Sequence, residues 1–344
     1  MDCAEFDGQV VRLEKFKDIA DQFVRVRLTR IDNVDLNLFE FDYDLTFMVF
    51  FMDAKEKVYA RYGGRDSKNA DNRQSLEGLR YTMQSVAAMH RSEQKQFAPR
   101  VEGAPVYIRQ IAGGRGKCLH CHQVKERLNR KFTGNGDWTR DMVYRYPLPD
   151  NLGIRLDVNR GNVVEKVTPG SPAEKAGLKK GDVVKRLGNV PIHSFGDATY
   201  ALDKAPGKGT LSLSWLRDTE LLTASLDLPK GWRKTDISWR PSLRRLVPSS
   251  PFYGTDLKAA ERKQLGLTDK QLAFRLTSRL STRAKQAGFQ AGDIVVGIDD
   301  RQLDLTATDF VYFVQSEYLV GDTIHATLLR EGKNLRLPLT LTSR

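Results

Sequence analysis

One short pattern occurs twice in the second half of the chain and limits what it can fold into. The first copy is Ser171-Pro172-Ala173-Glu174-Lys175-Ala176-Gly177-Leu178-Lys179-Lys180-Gly181-Asp182-Val183-Val184; the second is Ala284-Lys285-Gln286-Ala287-Gly288-Phe289-Gln290-Ala291-Gly292-Asp293-Ile294-Val295. Each reads as a short helix packed through its alanines and stopped by glycine, then a Gly-Asp turn that feeds a β-branched strand. Pro172 suits the first helical turn, where a missing N–H costs nothing. Ser194 caps a later helix through Leu202, and Leu211 to Leu216 and Leu221 to Leu228 read as closing strands. In the second copy, Leu328 to Leu339 reads as the final hairpin.

The surroundings of the first copy extend the pattern. Asn151-Leu152-Gly153-Ile154-Arg155-Leu156-Asp157, followed by Val163 to Val184, resembles the carboxylate-binding loop and core of bacterial HtrA-type PDZ domains. The resemblance implies that a protein C-terminus or extended peptide adds as a strand beside Ile154 to Asp157. Its carboxylate would take the amides near Gly153, and Leu152, Ile154, Ala198 and Leu202 would line the pocket, with Arg155 and Leu156 on the same strand. The alternative is that a preceding segment of the same chain fills the groove. A second, more divergent module spans 255–344, with Leu265-Gly266-Leu267 as its loop and Leu272 to Leu276 as the following strand. Between them, 231–254 is a basic linker whose Trp232 and Trp239 predict packing on a domain.

Residues 1–98 read as alternating α and β. Phe23-Val24-Arg25-Val26-Arg27-Leu28 alternates like a half-buried strand, Leu45 to Met52 like a central one, and Lys57 to Tyr62 like its hairpin partner. Ser75 opens a helix predicted to run to about His90. This order resembles a thioredoxin-like domain with its start missing. In that family a Cys-x-x-Cys pair begins the first helix; Cys3 matches its second cysteine and the first would lie ahead of Met1. Cys3 is therefore only a weak redox candidate, because a lone thiol has no resolving partner. The expected fold class is α+β multidomain: a truncated thioredoxin-like domain followed by two PDZ domains.

Residues 99–147 form a connector holding Cys118-Leu119-His120-Cys121-His122, with Val124 to Lys131 as a short basic helix. The run resembles a c-type haem attachment site. Two thiols three residues apart can add across the porphyrin vinyl groups while His122 binds the iron. Met142 and His90 are the candidates for a second axial ligand. A zinc site would need four ligands, and the chain has no second Cys/His cluster; a dithiol or structural disulfide remains open.

Composition excludes other classes. The net charge of +12 concentrates in residues 101–150 (net +4) and 151–270 (net +8), without the aromatic-interleaved basic stripe of an RNA-recognition surface, so nucleic acid is not expected as a partner. No apolar run approaches the ~18 residues of a membrane span. No Gly-x-Ser-x-Gly stretch accompanies the modules, so no serine-protease triad is expected. Covalent haem implies a periplasmic or secreted protein whose leader is missing from Met1-Asp2-Cys3. The leading expectation is a redox-associated scaffold with peptide and redox-protein partners. The alternatives are a non-catalytic adaptor with a structural disulfide and a thiol-disulfide oxidoreductase.

Overall fold

The computed structural model describes residues 16–31, 33–70, 72–112 and 119–343, in two compact units divided between Thr235 and Asp236. Cys3 and Cys118 lie outside the described residues.

In the first unit, strands β1 (Val49–Met52) and β2 (Val58–Tyr62) form an antiparallel hairpin with Phe51 opposite Ala60. Helix α1 (Leu76–Arg91) packs on it, its N-terminus capped by Ser75, whose hydroxyl accepts from the Gly78 amide. Leu79, Met83, Val86 and Ala87 meet Phe51, Tyr59 and Tyr62 in one buried cluster. Hairpin and helix match the sequence reading. The strand expected at 23–28 does not form: Val24 and Val26 are 94% and 77% exposed, and Phe23 alone turns inward, its ring edge-on to Phe51 at 5.7 Å. Alternation marks a strand only where a neighbour supplies the ladder, and among the described residues the sheet of β1 and β2 has two strands. The central strand expected from Leu45 is shortened to Val49–Met52 for the same reason, and a thioredoxin-like sheet is not shown.

Helix α2 (Cys121–Asn135) is longer than the expected 124–131. Its Lys125 is buried, with Nζ 2.9 Å from Asp44 Oδ2 and 3.7 Å from Asp42 Oδ1. Val124 packs with Leu36, Phe41, Tyr43 and Ile108 in a separate cluster.

The first module follows: β3 (Ile154–Leu156), β4 (Val164–Val167), α3 (Pro172–Lys175), β5 (Val183–Leu187), β6 (Val190–Pro191), α4 (Phe195–Lys204), β7 (Gly209–Arg217) and β8 (Glu220–Leu228). β3 and β4 make a two-stranded sheet, and the other sheet runs β6-β5-β7-β8. Trp232 packs on this core and donates its indole N–H to Pro206 O, as expected of an aromatic in the linker.

The second unit repeats the order as β9 (Gly254–Asp256), α5 (Ala259–Gln264), β10 (Phe274–Leu276), α6 (Thr282–Gln286), β11 (Ile294–Ile298), α7 (Ala307–Glu317), β12 (Thr323–Arg330) and β13 (Lys333–Thr340). Its single sheet runs β13-β12-β11-β10-β9. Strand β10 directly precedes the short helix, as β4 does, so β9 is the counterpart of β3. This corrects the sequence reading. Leu265-Gly266-Leu267 follows the end of α5 in an insertion between the paired strands, and the strand paired with β10 begins at Gly254, at the boundary between the expected linker and module.

The repeated Gly-Asp turns are built alike. Asp182 accepts two bonds from Arg217 (2.9 and 2.8 Å) and one from the Lys179 amide; Asp293 does the same with Arg330 (2.7 and 2.8 Å) and the Gln290 amide. Against the upward push of burial, the Arg330 guanidinium and the Gln290 amide hold the Asp293 carboxyl below its usual range. Replacing Asp293 by Ala strands a guanidinium and an amide, with an expected cost of about 2–4 kcal/mol. Denaturant unfolding of the second unit measures it, and Asp182→Ala is expected to act similarly in the first module.

Candidate functional site

A strand edge beside a helix is the feature common to both modules. In the first, register pairs Arg155 with Lys166, Thr168 N–H donates to Gly153 O, and Asp157 N–H donates to Val163 O. Residues 153, 155 and 157 therefore spend their backbone groups on β4. Antiparallel ladders alternate, so Ile154 and Leu156 aim theirs off the other edge, where no partner occurs among the described residues. In the second, Thr277 N–H donates to Tyr253 O and Leu257 N–H to Ala273 O, which leaves Gly254 and Asp256 on the open edge.

The wall opposite is a helix in each case. In the first module Leu152, Ile154, Leu156, Ala198 and Leu202 belong to one buried core cluster. Arg155 is not part of it; its guanidinium turns to Glu165 (3.2 Å) and Asp150 (3.5 Å). Gly153 sits at φ +83°, and a Cβ there would stand 2.1 Å from Ser171 Oγ. Glycine is thus required by the chain's own close packing, before any ligand is considered. In the second module Asp256 Oδ1 accepts from the Ala307 amide at the start of α7, tying strand to helix. Phe274 lies over Gly254, with its ring 5.3 Å from that of Phe310. Tyr253 and Tyr312 are 50% and 57% exposed.

Helix α4 carries further contacts that the sequence did not signal. Asp197 accepts from the Arg61 amide (2.7 Å) and the His193 amide (3.1 Å), and Ser194 donates its hydroxyl to Arg61 O. The Arg61 guanidinium lies 3.7 Å from the centre of the Tyr200 ring. Arg145 binds Asp203 with two bonds of 2.6 Å. Burial pushes the Asp197 carboxyl up to about 7, against the pull of the Arg61 amide and charge, and pushes the His193 imidazole down to about 4.

Of the Cys118–His122 segment, residues 119 onward are described. Cys121 opens α2 and packs beside the cluster of Leu36, Phe41 and Tyr43. Burial, then Glu40, then Cys121 push the Tyr43 hydroxyl well up. His122 Nδ1 lies 3.2 Å from Glu126 Oε1, and the His120 and His122 rings stand 5.9 Å apart and nearly parallel. His90 is engaged elsewhere: it is exposed near the end of α1, and its Nδ1 pairs with the Tyr59 hydroxyl at 2.9 Å. Met142 is half-buried on the 3-10 turn Arg140–Tyr144. Among the described residues no group of three or more His, Cys, Asp or Glu is arranged to hold a metal ion, and no helix is long and apolar enough to cross a membrane.

Comparison with known proteins agrees with this geometry. Residues 151–228 match the PDZ domain family model. The chain is 29% identical over 148 residues to the periplasmic serine endoprotease DegP of Escherichia coli K12, covering 43% of this chain and 28% of that protein. It is 29% identical over 146 residues to the periplasmic pH-dependent serine endoprotease DegQ of the same strain, covering 42% and 30%. It is 32% identical over 187 residues to the magnetosome formation protease MamE of Magnetospirillum gryphiswaldense, covering 45% and 24%. The match spans less than a third of the length of each of these relatives.

Asp197 on α4 and His193 just before its cap oppose each other with pH. Asp197, raised, adds stability at low pH that is lost as pH rises through about 7. His193, lowered, adds stability at high pH that is lost as pH falls from about 6.5 toward about 4. Over that interval the two slopes largely cancel. His193→Gln is expected to unmask the Asp197 slope, so that the variant gains stability as pH falls from 7 to 4. Urea unfolding across that range checks it; a curve parallel to the wild type counts against the assignment.

Proposed function

We propose that this chain is an extracytoplasmic peptide-binding scaffold whose PDZ modules capture extended segments, protein C-termini among them, by strand addition. The observation that carries the reading is the pair of unpaired edges, at Ile154 and Leu156 and at Gly254 and Asp256, each facing a helix. Backbone bonds along such an edge supply affinity for any extended chain, and the pocket behind it selects the side chain. The match of residues 151–228 to the PDZ family supports the first module as a peptide binder. DegP and DegQ are named as periplasmic, and the proposal takes the compartment from them and leaves proteolysis aside. With a pool of peptides ending in Ala, Val, Leu or Ile added to the full chain, amide exchange at 253–257 is expected to slow by about tenfold. Exchange unchanged in both modules would remove the peptide-capture reading.

The proposal includes a covalent c-type haem on Cys118 and Cys121. The chemistry of the donor set supports it: an imidazole that binds iron through Nε2 normally offers its other nitrogen to a carboxylate, and Glu126 stands at that position. His122 would bind the iron and Glu126 would orient its ring. The group would supply a redox-active iron, and the partner a redox protein. Expressed outside the cytoplasm with haem-maturation machinery, the protein is expected to gain the mass of one haem, and Cys121→Ala to lose the two-thioether attachment. An unmodified intact mass would favour the adaptor with a disulfide.

A further inference from the structure

The two grooves differ in how they are covered. In the second module α7 buries only Phe310 and Val314, and Thr255 and Asp256 on the opposite strand are exposed. In the first, nine consecutive residues of α4, Phe195 to Asp203, are all buried, and Ile154 and Leu156 with them. A helix that only roofs one core leaves a face in water. Other segments therefore cover α4 from outside: Glu40, Pro99 and Arg145 lie against its Tyr200 and Asp203, and at its N-terminal end, beside the groove, the contacts identify residues 61–70 and 72–75.

Gly64 lies so close to the Phe195 ring that a Cβ would stand 2.3 Å from it. The Arg73 side chain is only 4% exposed: its Nε donates to Asp66 Oδ2 at 2.9 Å, and a terminal nitrogen donates to Asp150 Oδ1 at 3.0 Å. The same guanidinium is 5.3 Å from the centre of the Phe195 ring. Asp150 belongs to the turn that leads into β3, and Phe195 is the first residue of α4. One side chain thus touches both walls of the groove. Past the far end of β3, Ser75 Oγ donates to Asn159 Oδ1 at 2.7 Å, and a Cβ on Gly78 would stand 2.4 Å from Val158 O. The segment touches the turn before β3 and the residues after it, and among the described residues no backbone bond joins it to Ile154 or Leu156.

We propose that the described residues 61–70 and 72–75 are a strap that keeps the first groove shut, with Arg73 as its latch, so that the first module accepts a peptide only after the Arg73 pairs break. A buried guanidinium is held only while its carboxylates remain, so loss of either pair loosens it. The closure is incomplete in a way that favours release: the Ile154 and Leu156 backbone groups stay unbonded beneath the strap, and Asp150 Oδ2 is buried without a hydrogen-bond partner among the described residues. An incoming strand satisfies that edge where the strap does not.

The inference rests on the peptide-capture reading, and its test separates the two. Amide exchange across 153–157 is followed in the full chain, with and without the same peptide pool. The wild type is expected to exchange slowly there and to gain no protection from the pool. Arg73→Ala is expected to exchange at least about tenfold faster, and to be protected when the pool is added. Asp150→Asn, which keeps the Arg73–Asp66 pair, serves if Arg73→Ala does not fold, and is expected to shift exchange in the same direction. Folded variants that exchange like the wild type overturn the strap, as does a wild type whose 153–157 region the pool already protects. Faster exchange without protection in either module leaves the strap standing and removes peptide capture.

Discussion

Everything in the first unit is organised around a helix with no free side. α4 contributes Ala198, Ala201 and Leu202 to the module's core while its other faces receive Arg61, Glu40, Arg145 and the strap. The polar groups this arrangement buries are matched in detail: Asp197 serves two backbone amides from different segments, and Asp203 takes both Arg145 and the Tyr146 amide. Such networks are worth little net stability but tolerate few alternative arrangements, because a half-satisfied carboxylate in an apolar site is costly. Hairpin and module are thereby locked in register, and the strap that begins at Arg61 inherits its position from that lock.

The second unit shows what the same module looks like without such a cover. Its Gly-Asp turn, its arginine clamp and its helix N-cap follow the first closely; Ser171 and Ser281 each accept from the amide three residues on. Its groove strand differs. Gly254 stands where the first module has Ile154, and the volume is taken by Phe274, part of an aromatic floor with Phe252 and Phe310. Asp256 replaces Leu156 and is used to cap α7. The two modules therefore place different side chains behind the same kind of strand edge.

How much of this the sequence disclosed depended on whether a signal was local. The Ser-Pro-Ala helix, the Gly-Asp turns, the Ser75 and Ser194 caps and the closing hairpins are each set within a few residues, and all formed as read. The strand at 23–28 failed because alternation says nothing about whether a neighbour exists. The second groove was misread because Leu265-Gly266-Leu267 imitates a loop whose real position is fixed by which strand pairs with β10, a contact distant in sequence. Arg73 had no signal at all: its partners Asp66 and Asp150 are unremarkable until the chain folds, and only its burial marks it.

The position of the cysteine segment follows from a burial that looks unfavourable by itself. Lys125 is taken out of water one turn after Cys121, which is tolerated because Asp42 and Asp44 converge on its ammonium. Those two aspartates flank Tyr43, whose ring stacks obliquely on Phe41 at 4.4 Å. Charge pairing and apolar packing thus fix the same turn of α2 from two sides, and the side chains one turn earlier, Cys121 and His122, are oriented by it. His122 and Glu126 fall on the half-exposed face while Cys121 faces the cluster. The orientation of Cys121 and His122 on α2 is thereby set by the ion pair beneath the helix.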